Sequence, residues 1–109
     1  MSTPRYPTVI VCGGDDCRYV WHVFRVLDAW LTHAGGERVI QSGTRGVPQL
    51  ARQWAFTRDI PCQKVPADHM LTLNPDAVIA FPGGQDTATI IKSAHAANVP
   101  VITFERFAI

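Results

Sequence analysis

Two pairs of glycines are the residues of this chain best placed to bind an anion. Both follow an apolar run that is typical of a buried strand, and both precede a predicted helix: Gly13-Gly14 after residues 8–12, and Gly83-Gly84 after residues 77–81. Glycines at such a corner let backbone N–H groups approach a phosphate, and the helix dipole favours its negative charge. A plain tight turn would also select glycine. We expect the two corners to lie side by side and to form one ligand-binding crevice.

Polar side chains around these corners extend the predicted site. Arg45, between Gly43 and Gly46, can present its planar guanidinium to a phosphate or carboxylate, although a solvated loop arginine is the alternative. The hydroxyl of Thr87 could reach a phosphate oxygen or could simply cap a helix. The predicted ligand-binding residues are Gly13, Gly14, Asp15, Gly43, Thr44, Arg45, Gly46, Pro82, Gly83, Gly84, Asp86 and Thr87.

Three aspartates, Asp15, Asp16 and Asp86, fall at predicted helix starts beside this crevice. Capping is the ordinary explanation, because a carboxylate near a helix N-terminus contributes roughly 0.3–1 kcal/mol. The same carboxylates would compete with a phosphate for the N–H groups, unless they hold ribose hydroxyls or a Mg²⁺ ion that bridges to the ligand. The sequence leaves both interpretations open.

Composition narrows the class of protein. We expect one domain over residues 1–109, because a chain of this length that is 47% hydrophobic can bury its own core. The formal net charge of +1 argues against a protein built to neutralise a nucleic-acid backbone. Three cysteines without C-x-x-C spacing and four dispersed histidines favour neither a disulfide framework nor a metal site. Residues 1–7 show no export signal and no apolar run is of membrane length, so we expect a cytoplasmic protein without a membrane partner.

Apolar periodicity predicts alternating strands and helices. The predicted strands cover residues 8–12, 38–42, 62–66, 77–81 and 101–104, the third at a sheet edge because of its prolines. Helices are predicted from about Asp16 to His33, from near Pro48 to a break at Asp59, and from about Asp86 to Ala97, with a loop or one helical turn over residues 67–76. This alternation indicates a three-layer, doubly wound α/β fold of about five mostly parallel strands in the order 3-2-1-4-5.

Several stretches resemble the YspA-type, cpYpsA-related members of the SLOG superfamily. They are Val-Ile-Val-Cys-Gly-Gly at residues 9–14, Gly-Thr-Arg-Gly-Val-Pro at residues 43–48, and downstream the segments 60–61, 66–68 and 74–84. The resemblance covers nearly the whole chain in the family's order. It implies a Rossmann-like domain that binds nucleotides or nucleotide-derived molecules. Relatives include cytokinin-activating phosphoribohydrolases and the DNA-processing protein DprA, so the resemblance does not by itself fix an activity.

The chain departs from the family pattern at this same site. The family usually has an arginine where Asp15 stands, and a basic loop before the fourth strand is largely missing here. The phosphoribohydrolase motif Pro-Gly-Gly-x-Gly-Thr-x-x-Glu is kept at residues 82–84 and at Thr87, but Asp86 replaces its third glycine and Ile90 its glutamate. Because that glutamate belongs to the hydrolytic machinery, the resemblance gives this chemistry little support.

The sequence supports three hypotheses of function. The first is a small cytoplasmic domain that binds a nucleotide or nucleotide derivative as a sensor and needs no catalytic residue. The second is a hydrolase of an N-glycosidic or phosphate bond, with Asp15, Asp16 or Asp86 as general base. The third, disfavoured by the net charge, is single-stranded nucleic-acid binding. Trp21 and Phe56 lie off the apolar stripes of their helices, which favours a homodimer.

Overall fold

The described part of the chain, residues 5–14 and 20–104 of a computed structural model, builds a five-stranded parallel sheet with helices on both faces. The strands are β1 (Thr8–Cys12), β2 (Arg38–Gln41), β3 (Cys62–Lys64), β4 (Ala77–Ala80) and β5 (Val101–Thr103). Their order is β3-β2-β1-β4-β5, and each neighbouring pair is parallel. The predicted fold class and strand order are confirmed.

The helices are α1 (Val20–His33), α2 (Val47–Arg58) and α3 (Gln85–Ala96). A 3₁₀ helix, Ala67–Leu73, precedes β4, where a loop or one helical turn was predicted over residues 67–76. The predicted start of the first helix, Asp16, lies outside the described residues. No helix within the described ranges is long and apolar enough to cross a membrane.

Successive side chains of each strand point to opposite faces of the sheet. Val9 and Val11 pack with α1 and α2 around Trp54, whereas Ile10 packs on the other face with Met70 of the 3₁₀ helix and with α3. The four residues of β4 are all buried. Burial on both faces explains why the central strands are continuous apolar runs.

At the described start of α1, apolar spacing and burial differ. Val20 shares the apolar spacing of the helix, yet it is 39% exposed, while Val23 and Leu27 are fully buried. Val20 is the first described residue of α1.

Candidate functional site

The two glycine corners meet at the carboxyl edge of the sheet, where β1 and β4 are neighbours. The N–H of Gly14 donates to the carbonyl oxygen of Pro82 at 2.9 Å. A Cβ added to Gly83 would lie 2.6 Å from the nitrogen of Gly14 and 2.8 Å from the carbonyl carbon of Gly13. A residue with a side chain would not allow this approach, so the corners pack backbone against backbone.

The start of α2 packs on the same corner. A Cβ added to Gly13 would lie 2.5 Å from Cγ2 of Val47. The N–H of Val47 donates to the carbonyl oxygen of Gly14 at 3.2 Å. Gly46, just before this helix, has a φ of 84°, in the left-handed region that glycine adopts readily. The loop after β2 is thereby held beside the loops after β1 and β4.

An open cleft of about 570 Å³ lies at this junction, within the size range of small-molecule sites. The described residues that line it are Gly13, Gly14, Gly43, Thr44, Arg45, Gly84, Gln85, Asp86 and Thr87. Eight of these nine belong to the residues predicted from the sequence. The structure therefore brings together three loops that are far apart along the chain.

Four predicted site residues are not among those lining residues. Gly83 and Pro82 form the contact between the corners, and Gly46 forms the turn before α2, so these three shape the cleft without facing it. Asp15 lies outside the described residues, as does Asp16.

The N-terminus of α3 opens into the cleft. Its cap residue is Gly84, which has no side chain to accept from the first N–H groups, and a Cβ added there would meet nothing within 4 Å. Within the described ranges, no side chain accepts a hydrogen bond from the N–H of Gln85, Asp86 or Thr87. These N–H groups lack intrahelical partners and carry the positive end of the helix dipole, so they can bind an anion.

Side chains of both signs flank these N–H groups. Arg45 and Asp86 are exposed, and neither forms an ion pair with another described residue. Thr87 is 5% exposed, and its Oγ1 lies against Gly83 on the floor of the cleft. The N-cap of α3 is Gly84, and Asp86 is the second residue of the helix. Asp86 therefore does not cap the helix by a hydrogen bond, and its carboxylate can stabilise the helix only through its charge near the positive end of the dipole.

The cleft offers few protein ligands to a metal ion. No group of three His, Cys, Asp or Glu residues in the described ranges could hold one. Asp86 is the single carboxylate among the described lining residues. Of the described lining residues, Asp86 alone could offer a carboxylate to a Mg²⁺ ion, which would have to enter with a phosphorylated ligand.

Two glutamines of the site were missed from the sequence. Gln85 lines the cleft directly, at the first position of α3. Gln41 is buried at the end of β2, and its Oε1 accepts a hydrogen bond from the N–H of Gly43. Gly43 has a φ of 80°, so this bond fixes a turn that suits glycine. A glutamine at the end of a short apolar strand, two residues before a glycine, is the sequence signal that could have revealed Gln41.

Cys12 directly precedes the first corner but is not a nucleophile of this site. It is 2% exposed, and burial raises the pKa of its thiol to about 12. The thiolate is the reactive form, so at neutral pH this sulfur remains an apolar core atom.

The fold and the glycine-lined cleft define a Rossmann-like α/β domain with its site at the topological switch point of the sheet. The model of the YspA, cpYpsA-related SLOG family, YAcAr, matches residues 7–71. This is more than half of the chain, and the protein belongs to that family. The match spans β1, the first corner and the loop of Arg45, and it ends before β4. Comparison with curated proteins and with solved structures gives no match.

Proposed function

We propose that the protein binds a nucleotide or nucleotide derivative in this cleft and acts as a sensor-like domain rather than as an enzyme. The observation that carries the proposal is the open N-terminus of α3, which shares one cleft with Arg45. Within the described residues, no side chain accepts from the first N–H groups of this helix, and no carboxylate pairs with the guanidinium of Arg45. Membership of the SLOG family supports a nucleotide-related ligand.

The chemistry of the cleft suits the parts of a nucleotide. The N–H groups that follow Gly84 would bind a phosphate, and Arg45 would donate to the same group in a charge-assisted, bidentate manner. Asp86 would accept from ribose hydroxyls or hold a bridging Mg²⁺ ion. Gln85, with both a donor and an acceptor, could contact the sugar or the base.

Hydrolysis is the second candidate, favoured by the position of Asp86 in the cleft. Asp86 is exposed, and no histidine is among the described lining residues, so the described part of the cleft offers no second acid–base group beside it. If Asp86 were the general base, Asp86→Asn would abolish turnover and leave nucleotide binding largely intact. Equal turnover in the two proteins would remove Asp86 from any mechanism.

Thermal-shift measurements with nucleosides and their mono-, di- and triphosphates, with and without Mg²⁺, test the proposal. A ligand at about 100 times its Kd stabilises a protein by about 2.7 kcal/mol, which is readily measured for a domain of this size. We expect phosphorylated compounds to stabilise the protein more than the parent nucleosides, and Arg45→Gln to reduce that difference. Arg25→Gln, an exposed substitution on α1, is the matched control. A flat response across the panel would contradict the proposal.

A further inference from the structure

A second groove adjoins the cleft at Gly43, which lines both. This side groove has a volume of about 470 Å³ and lies between α2 and the edge strand β3. Helix α2 contributes three residues whose spacing places them on one face, and β3 contributes two alternate residues on one side of the strand. The described lining residues are Gln41, Gly43, Gln49, Arg52, Phe56, Ile60, Cys62 and Lys64.

The charge of the side groove is positive. Arg52 and Lys64 are both exposed, and neither forms an ion pair with a described residue. No carboxylate is among the described residues that line the groove. The groove therefore favours an anionic ligand, in contrast to the cleft, where Asp86 offsets Arg45.

Lys64 lies at the junction of the two cavities. A Cβ added to Gly43 would lie 2.5 Å from Cε of Lys64 and 2.8 Å from its Cδ, so the stem of the lysine crosses this glycine. Gln41 is paired with Lys64 in the sheet and bonds to the N–H of Gly43. The junction of the two cavities thus consists of the turn at Gly43, which Gln41 fixes, and the side chain of Lys64 beside it.

The rim of the side groove carries an aromatic ring that the described residues leave uncovered. Phe56 is 87% exposed and stands one helical turn after Arg52. An exposed ring beside a cation is an arrangement on which a base can stack while its phosphate is bound. The amide of Gln49, on the same helical face, can bond to a base edge.

We propose that the side groove binds a second phosphate-bearing half of the ligand, so that the natural ligand is a molecule of dinucleotide size. One phosphate would lie at the N-terminus of α3 with Arg45, and the other between Arg52 and Lys64. A base would stack on Phe56. The inference rests on the proposed function, because the first phosphate occupies the cleft described above.

Calorimetric titration with adenosine 5′-monophosphate and with the 5′-phosphorylated diadenylate pApA tests this. We expect pApA to bind the native protein at least about tenfold more tightly, the effect of one further charge-assisted hydrogen bond. Arg52→Gln and Lys64→Met should each remove about that factor for pApA and leave the monophosphate unaffected. Lys64→Met keeps the aliphatic stem over Gly43. Arg25→Gln and Lys92→Met, exposed and outside both cavities, are the charge-matched controls and should change neither affinity.

The remaining outcomes separate the two proposals. If the monophosphate binds and pApA binds no more tightly, the side groove does not bind a second phosphate, and the proposed function stands. The same conclusion follows if pApA binds more tightly and both groove variants keep that difference. If neither compound binds, the proposed function fails and the dinucleotide inference fails with it. An octa-adenylate that binds more than about tenfold tighter than pApA would overturn the inference in favour of a single-stranded nucleic-acid track.

Discussion

Two of the glycines at the corners allow close packing, whereas a third has open space beside it. Gly13 and Gly83 stand where a Cβ would overlap Val47 or the opposite backbone. Gly84 stands where a Cβ would meet nothing, at the mouth of the cleft. Packing explains the first two, whereas packing does not explain Gly84. A glycine with open space above it is what a bound anion close to the backbone would require.

Alanine at Gly83 should therefore mainly reduce stability, whereas alanine at Gly84 should mainly reduce phosphate binding. Gly83→Ala forces the two corners apart, and we expect it to lower the free energy of unfolding by about 1–3 kcal/mol. Gly84→Ala should cost at most about 1 kcal/mol, because alanine is only a poorer cap than glycine, but it should weaken phosphate binding. Urea denaturation and nucleotide titration of both variants measure this. A Gly84→Ala protein with native affinity would mean that no ligand approaches this backbone.

Burial of Cys12 gives a second prediction for a single residue. Because its pKa is raised to about 12, the thiol should be alkylated at pH 8 only through unfolding of the domain. Cys62 is half-buried and should react faster in the native protein. Alkylation followed by site-resolved mass spectrometry compares the two cysteines. Labelling of Cys12 at the rate of a free thiol, without denaturant, would contradict the packing of β1.

Among the elements, α2 supports the cleft and lines the side groove. Its first turn packs on Gly13, and its exposed face forms one wall of the side groove. Asp28 of α1 holds this helix: it accepts from Nε1 of Trp54 at 2.9 Å and from Nε and Nη2 of Arg58 at 2.9 and 3.0 Å. The bond from Arg58 lowers the pKa of Asp28, with a smaller contribution from Trp54, against burial, which raises it.

Asp28→Asn should consequently destabilise the protein in a pH-dependent way. The folded pKa of Asp28 is depressed, so its contribution is fully present above the ordinary carboxyl pKa of about 3.9 and is lost as the pH falls through the folded value. We expect the variant to melt at a lower temperature than the native protein at pH 7, with the difference shrinking under acid conditions. Asp59→Asn, at the exposed left-handed end of α2, is the control. A difference that stays constant with pH would contradict a role for the charge.

The elements also show what the sequence could and could not predict. Alternating apolar runs and helical spacing predicted the strand order and the contact between the corners, because parallel strands end at one edge of the sheet. The strands β2 to β5 end one or two residues earlier than predicted. Gln85 was missed because a glutamine in a first helical turn has no distinctive pattern. The side groove could not be predicted, because it depends on how α2 lies over Gln41 and Lys64.

For the whole molecule, net charge is a poor guide to ligand preference. The chain carries a formal charge of only +1, yet the two adjoining cavities are lined by three cations that form no ion pair with a described residue, Arg45, Arg52 and Lys64. Elsewhere on the molecule, an ion pair such as Arg58–Asp28 reduces the attraction that the cation would exert on an anionic ligand. The sum of charges argued against nucleic acid as the main partner, but it did not show a local surface suited to a small polyanion.

The homodimer remains a prediction, and the two residues that suggested it lie in different surroundings in the structure. Phe56 lines the side groove, whereas Trp21 is 86% exposed on α1 beside the partly exposed Val20 and lines neither cavity. An exposed tryptophan next to a further apolar residue favours a protein contact. We therefore expect light scattering to give a mass twice the 12.0 kDa of one chain. Trp21→Ser should reduce it to that of a monomer, and Phe56→Ser should leave it unchanged. If only Phe56→Ser abolished the dimer, the interface would lie at the side groove and not at Trp21. If the native protein had the mass of a monomer at all concentrations, the predicted homodimer would be wrong.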